Sequence, residues 1–163
     1  MIVLVGFMGA GKTTVGQLVA DKLGVRFLDS DHVIEERTGR RIPDIFTAAG
    51  EPGFRELEHQ VVAGLLAGSP AVLALGGGAA AYPATRSLLA SAGTDVVFLR
   101  VGFSSALDRV GGDTGRPMLA RPDIADVFAA RQEIYSSVAT LTVDTDGRSP
   151  EEAAADILAL TRQ

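Results

Sequence analysis

The chain has 163 residues, 47% of them hydrophobic, and no cysteine, which suits one domain spanning 1–163 with a sizeable core and excludes disulfides and thiolate metal sites. Its net charge of -5, with 15 basic residues scattered along the chain, argues against a nucleic-acid surface or a polybasic membrane patch. No apolar run approaches the ~20 residues that cross a bilayer, so no membrane partner and a cytoplasmic location are expected.

In chain order, the apolar run 2–5 predicts a strand that feeds a glycine-rich loop, followed by a helix over Thr13 to Leu23. A second strand is predicted over Val25 to Leu28, then helices over Asp31 to Thr38, Pro43 to Ala49 and Phe54 to Ala67. The strand Ala71 to Leu75 runs into three glycines, and a helix follows over Pro83 to Ser91. Strands over Val96 to Leu99 and Leu141 to Val143 alternate with helices over Ser104 to Val110, Ile124 to Tyr135 and Pro150 to Leu160. Short continuous apolar runs between amphipathic segments are the mark of parallel strands covered on both faces. The expectation is an α/β three-layer sandwich with a wholly parallel five-stranded sheet and ligands at the carboxyl ends of its strands. The glycine- and proline-rich segment 111–123, with Arg116 and Arg121, reads as a lid or a surface linker.

Gly6-Phe7-Met8-Gly9-Ala10-Gly11-Lys12-Thr13 is a phosphate-binding loop in the right setting, after a strand and before a helix. Glycines let successive backbone N–H groups face phosphate oxygens, and the following helix presents its positive end. The chain has two lysines against thirteen arginines, so a lysine at this position is not background. Gly9, Ala10, Gly11, Lys12, Thr13 and Thr14 are the candidate ATP-binding residues, with the Thr13 hydroxyl a candidate ligand for Mg²⁺.

Asp29-Ser30-Asp31 follows the second strand. Read as extended chain, it sends both carboxylates to one side, a costly placement without a cation or a proton to move; alternatively Asp31 only caps the next helix. The third strand ends without an acid, in Gly76-Gly77-Gly78, which makes Asp29 the best candidate to support the metal. The glycines themselves allow close approach of backbone to a ligand, or merely turn the chain. Arg55 and Glu58 are one helical turn apart, a spacing usual for a solvated ion pair. Arg55 and Arg131 converging on one pocket would suit a carboxylate substrate. Arg116, if the segment is a lid, could reach a transferring phosphoryl group. His32 and His59 lack metal-ligand spacing and read as helix-surface residues.

Taken in order, Gly6 to Thr13, Asp29-Ser30-Asp31, Arg55 with Glu58, Gly76 to Gly78, Arg116-Pro117-Met118-Leu119 and Arg131 with Tyr135 resemble the shikimate kinase family. The resemblance implies a P-loop fold of the nucleoside monophosphate kinase type and transfer of the ATP γ-phosphoryl group to the 3-hydroxyl of shikimate. It implies that Lys12 contacts the phosphates, that Thr13 binds Mg²⁺ with Asp29 behind its water, and that Asp31 orients or deprotonates the hydroxyl. Arg55, Arg131, Gly77 and Gly78 would hold the carboxylate and hydroxyls, Phe46 and Phe54 would wall the ring, and Glu58 would position Arg55. Arg116 would close from the lid, and Arg109 and Pro150 would flank adenine. A monomer working on small molecules, ATP and shikimate, is expected; another P-loop small-molecule kinase, such as a gluconate kinase, and a nucleotide-dependent switch are the competing readings.

Overall fold

The computed structural model describes residues 1–111 and 121–161. Strands β1 (Ile2–Val5), β2 (Arg26–Asp29), β3 (Ala71–Ala74), β4 (Asp95–Arg100) and β5 (Leu141–Asp144) form one sheet in the order β2-β3-β1-β4-β5. All four pairings are parallel. The central β1 is buried at every position and pairs through Val3 with Leu73 on one side and Val96 on the other, which is why it reads as an unbroken apolar run. Helices α1 (Lys12–Leu23), α2 (Ser30–Thr38), α3 (Ile42–Leu66), α4 (Pro83–Ser91), α5 (Phe103–Val110), α6 (Ile124–Val138) and α7 (Pro150–Thr161) complete the sandwich. α1 packs with α7, while α4 packs with α3 and α6.

Several boundaries differ from the sequence reading, each for a local reason. β2 begins one residue late because the Val25 N–H bonds Ala20 O at 3.1 Å, closing α1 around the left-handed Gly24. The ladder with β3 therefore starts at Arg26 and runs on to Asp29. The two helices expected on either side of residue 50 are the two halves of α3, separated by a kink at Gly50 (φ 70°, ψ 175°). A residue with a β-carbon resists that backbone angle, and Pro52 has no N–H to lose where the second half starts. A 3₁₀ turn over Ala79–Ala81 follows the triple glycine, and α6 runs on to Val138.

Buried apolar residues form two clusters. The larger surrounds the sheet, and the smaller joins Val33 and Ile34 of α2 to Ile45, Phe54 and Val61 of α3. His32 stays on the surface with its Nε2 3.2 Å from Glu36 Oε1. His59 does not: it is half-buried between helices, with Nδ1 3.1 Å from Thr85 Oγ1 on α4. The loops at the carboxyl ends of β1, β2 and β3 meet α2 and α3 around one large cavity, the position this topology favours for ligands.

Candidate active site

The glycine loop wraps into the amino end of α1. Gly9 and Gly11 take left-handed angles (φ 80° and 93°), and a β-carbon on Gly9 would lie 2.6 Å from the Ala106 carbonyl oxygen of α5. α1 has no side-chain cap and no acid in its first turn, so the positive end of its dipole is not offset from within the helix. The Lys12 ammonium donates to the carbonyls of Gly6 (2.8 Å) and Phe7 (3.2 Å) in its own loop. Thr13 and Thr14 are exposed on the cavity wall. Ala10 is buried and uses its N–H on Phe7 O at 3.1 Å.

Asp29 and Asp31 both reach the cavity, but not as an extended pair. Asp29 ends β2 and caps α2, its Oδ1 accepting from the N–H groups of Asp31 (2.9 Å) and His32 (3.2 Å). Asp31 belongs to the first turn of α2, so the capping role considered for Asp31 falls to Asp29. Burial pushes the Asp31 carboxyl up to about 6; the Asp29 charge adds to this, and Lys12 and Arg55 oppose it.

Arg55 and Glu58 form a buried pair rather than a solvated one. Arg55 Nη1 donates to Glu58 Oε1 at 2.7 Å, with side-chain exposures of 13% and 1%. Glu58 Oε2 is buried without a hydrogen-bond partner among the described residues, and burial raises the carboxyl to about 7 against the pull of Arg55. The Arg55 guanidinium also lies over Phe54 (5.2 Å) and Phe46 (6.0 Å), whose rings are 4.5 Å apart. Across the triple glycine stands Arg131: a β-carbon on Gly78 would meet Arg55 Nη2 at 2.2 Å and Arg131 Nη2 at 3.0 Å. Two guanidinium forks thus converge where only glycine leaves room. Burial lowers the pKa of Arg131, and the buried Tyr135 hydroxyl donates to the Gly77 carbonyl.

Because burial raises the Glu58 carboxyl from its ordinary 4.5 to about 7, the folded chain binds this proton more tightly than the unfolded chain does. Its contribution to stability is therefore present at acid pH and is lost as pH rises through about 7. Thermal melts of the ligand-free protein should fall more steeply between about pH 5 and 8 than those of Glu58→Gln, by roughly 5 °C. Parallel curves would assign the charged form to the folded state throughout.

The cavity, ≈ 1070 Å³, takes in Gly9, Gly11, Lys12, Thr13, Thr14, Asp29, Asp31, Phe46, Phe54, Arg55, Glu58, Gly77, Gly78, Arg109 and Arg131 from the sequence reading. Arg109 is held at its rim, Nη1 donating to Gly9 O (2.9 Å) and Nη2 to Thr145 O (3.0 Å). Pro150 opens α7, exposed and outside the lining. Arg116 and the rest of 112–120 lie outside the described residues. Sequence reasoning missed Glu35 and Arg41 as lining residues and gave Ser30 no role of its own. Ser30 is fully buried, with Oγ accepting from Gly76 N–H at 3.0 Å. Nothing in the spacing of the chain marks that contact, which joins residues 46 apart.

The family model of shikimate kinase matches residues 8–162. A shikimate kinase of Thermobifida fusca (strain YX) is 50% identical over 157 residues, covering 94% of this chain and 90% of that protein. Among solved structures, shikimate kinase from Acinetobacter baumannii in complex with shikimate aligns with a TM-score of 0.91 at 41% identity, over 98% of this chain and 90% of the other. A gluconokinase from Sinorhizobium meliloti reaches a TM-score of 0.62 at 21% identity, a likeness of fold alone.

Proposed function

Because the chain belongs to the shikimate kinase family, we propose that its cavity transfers the γ-phosphoryl group of ATP to the 3-hydroxyl of shikimate, giving shikimate 3-phosphate and ADP. The chain is an ATP-dependent kinase acting on an alcohol group, with a P-loop fold of the nucleoside monophosphate kinase type. One observation carries the assignment of roles: the Asp31 carboxylate shares one cavity with Lys12 of the glycine loop and with the converging guanidiniums of Arg55 and Arg131, and it feels the charges of both Lys12 and Arg55. A substrate whose carboxylate is gripped by those arginines then presents a hydroxyl to Asp31 and, beyond it, to the γ-phosphate.

In this reading Gly77, Gly78, Arg55 and Arg131 hold the carboxylate and hydroxyls by forked hydrogen bonds. Phe46 and Phe54 wall the ring, and Glu58 keeps Arg55 in register. Gly9 to Thr14 cradle the ATP phosphates. Lys12 leaves the Gly6 and Phe7 carbonyls for phosphate oxygens, and Arg109 flanks the base, with Pro150 beyond it. The hydroxyl oxygen bonds to the γ-phosphorus as the bond to the β–γ bridging oxygen breaks, and Asp31 orients the hydroxyl and receives its proton. Arg116 adds positive charge to the transferring group. The donors present suit Mg²⁺, which takes few protein oxygens and keeps its waters: the Thr13 hydroxyl is exposed on the cavity, and the cap of α2 engages only Oδ1 of Asp29. When bound, Mg²⁺ neutralises phosphate charge.

The reading extends to a single kinase domain over 1–163, acting as a monomer on small molecules in the cytoplasm, where ATP is supplied, with no nucleic-acid or membrane partner. Among the described residues no helix is long and apolar enough to cross a membrane. The test is direct: with ATP and Mg²⁺, ADP should be released in the presence of shikimate and not of gluconate. Turnover with gluconate alone would overturn the assignment, and nucleotide hydrolysis indifferent to either would point to a switch.

A further inference from the structure

We propose that Ser30 is a positioning residue for Asp31, acting through the Gly76 amide so that the bare α-carbon of Gly76 becomes the surface against which the Asp31 carboxylate rests. The inference builds on the reading above, in which Asp31 serves the acceptor hydroxyl.

The argument begins where the β2–β3 ladder stops. Its last pair is Asp29 with Ala74; beyond it the chain of β2 turns into α2, while the chain of β3 goes on through Leu75 and Gly76. Alternate N–H groups of a strand point to opposite neighbours. Leu75 N–H keeps to β1, bonding Leu4 O at 3.0 Å, so Gly76 N–H faces the side from which the β2 backbone has departed. The Ser30 hydroxyl accepts that N–H at 3.0 Å, taking the place of the missing ladder carbonyl from a serine that is itself fully buried. The main chain beside Asp31 is thereby pinned twice, by the Asp29 carboxylate on the Asp31 N–H and by Ser30 on Gly76.

What this holds in place is a close contact. A β-carbon on Gly76 would stand 2.6 Å from Asp31 Oδ1 and 3.1 Å from both Asp31 Oδ2 and Glu58 Oε2. Both carboxylates therefore fill the space that a side chain on Gly76 would need, and Ser30 fixes where that α-carbon is. Releasing it lets Asp31 drift by the fraction of an ångström that separates a reactive hydroxyl from an idle one.

Ser30→Ala should lower kcat by ~10- to 100-fold with KM for ATP and shikimate changed less than about twofold. In an Asp31→Asn background it should lower the residual rate no further, since a residue acting only through Asp31 has nothing left to position. A crystal structure of ligand-free Ser30→Ala should show the Asp31 carboxylate withdrawn from Gly76. Should that variant fold poorly, Gly76→Ala keeps the hydrogen bond but sets a methyl group against Asp31, and should cost more than about 100-fold in kcat with ATP affinity retained. Wild-type kcat in Ser30→Ala, an equal further loss in the Asp31→Asn background, or an unmoved carboxylate would overturn the proposal. If the unsubstituted protein did not phosphorylate shikimate, the functional reading would fall, and the crystallographic displacement would decide the positioning role by itself.

Discussion

Asp31→Asn is expected to cut phosphoryl transfer to shikimate by ~10³-fold or more while ATP affinity stays within about threefold. Asparagine has nearly the same shape, so the contact with Gly76 and the helix entry persist; what disappears is the negative charge that, on the proposed reading, orients the hydroxyl and takes its proton. On the proposed reading the nucleotide loses little, because the glycine loop, Lys12 and the end of α1 would hold its phosphates. The same change should leave the ligand-free protein at least as thermostable, since burial and the neighbouring Asp29 both oppose the Asp31 charge. Steady-state kinetics, nucleotide titration and a melting curve on one preparation test all three statements. An unchanged kcat would remove Asp31 from the chemistry, and a parallel collapse of ATP binding would make its role structural.

The second large effect is at the other end of the substrate. Arg131→Met should raise KM for shikimate by ~10²-fold, the cost of about 2–5 kcal/mol typical of losing one member of a buried, charge-assisted contact. kcat at saturating substrate should fall far less, because the carboxylate grip is already made before the transition state. In the empty enzyme the substitution should be neutral or stabilising. Arg131 is desolvated, and it faces Arg55 across Gly78 with like charge, an arrangement that serves an anionic ligand and costs the ligand-free fold. A melting temperature that dropped by many degrees in Arg131→Met, with KM unmoved, would place Arg131 in the structural framework instead.

Much of this was legible along the chain, and the misreadings are instructive. Asp29 and Asp31 do line one cavity, but not as the alternating pair of an extended segment: α2 starts at Ser30 and Asp29 caps it. Their spacing is compatible with both, and only the end of the ladder with β3 decides. Arg55 and Glu58 carry the spacing of an exposed helix pair, yet the pair is buried because the second half of α3 packs this face into the cavity wall. Periodicity records that two residues share a face and says nothing of what covers it. His59, isolated in the sequence and without metal-ligand spacing, reads as a surface residue, and α4 half-covers it through Thr85.

By itself the sequence determined the elements that local chemistry dictates: the apolar strand leading to a glycine loop, the lysine and threonine that open α1, a parallel sheet from its short apolar runs, and the glycines at the end of β3. These depend on neighbours in the chain, through backbone freedom, helix ends and hydrophobic period. Only the tertiary structure decided which carboxylates lose their water, that two guanidiniums converge beside Gly78, and that Ser30 takes up the amide of Gly76. Those are contacts between distant segments, and burial and charge coupling exist only once packing has brought the segments together.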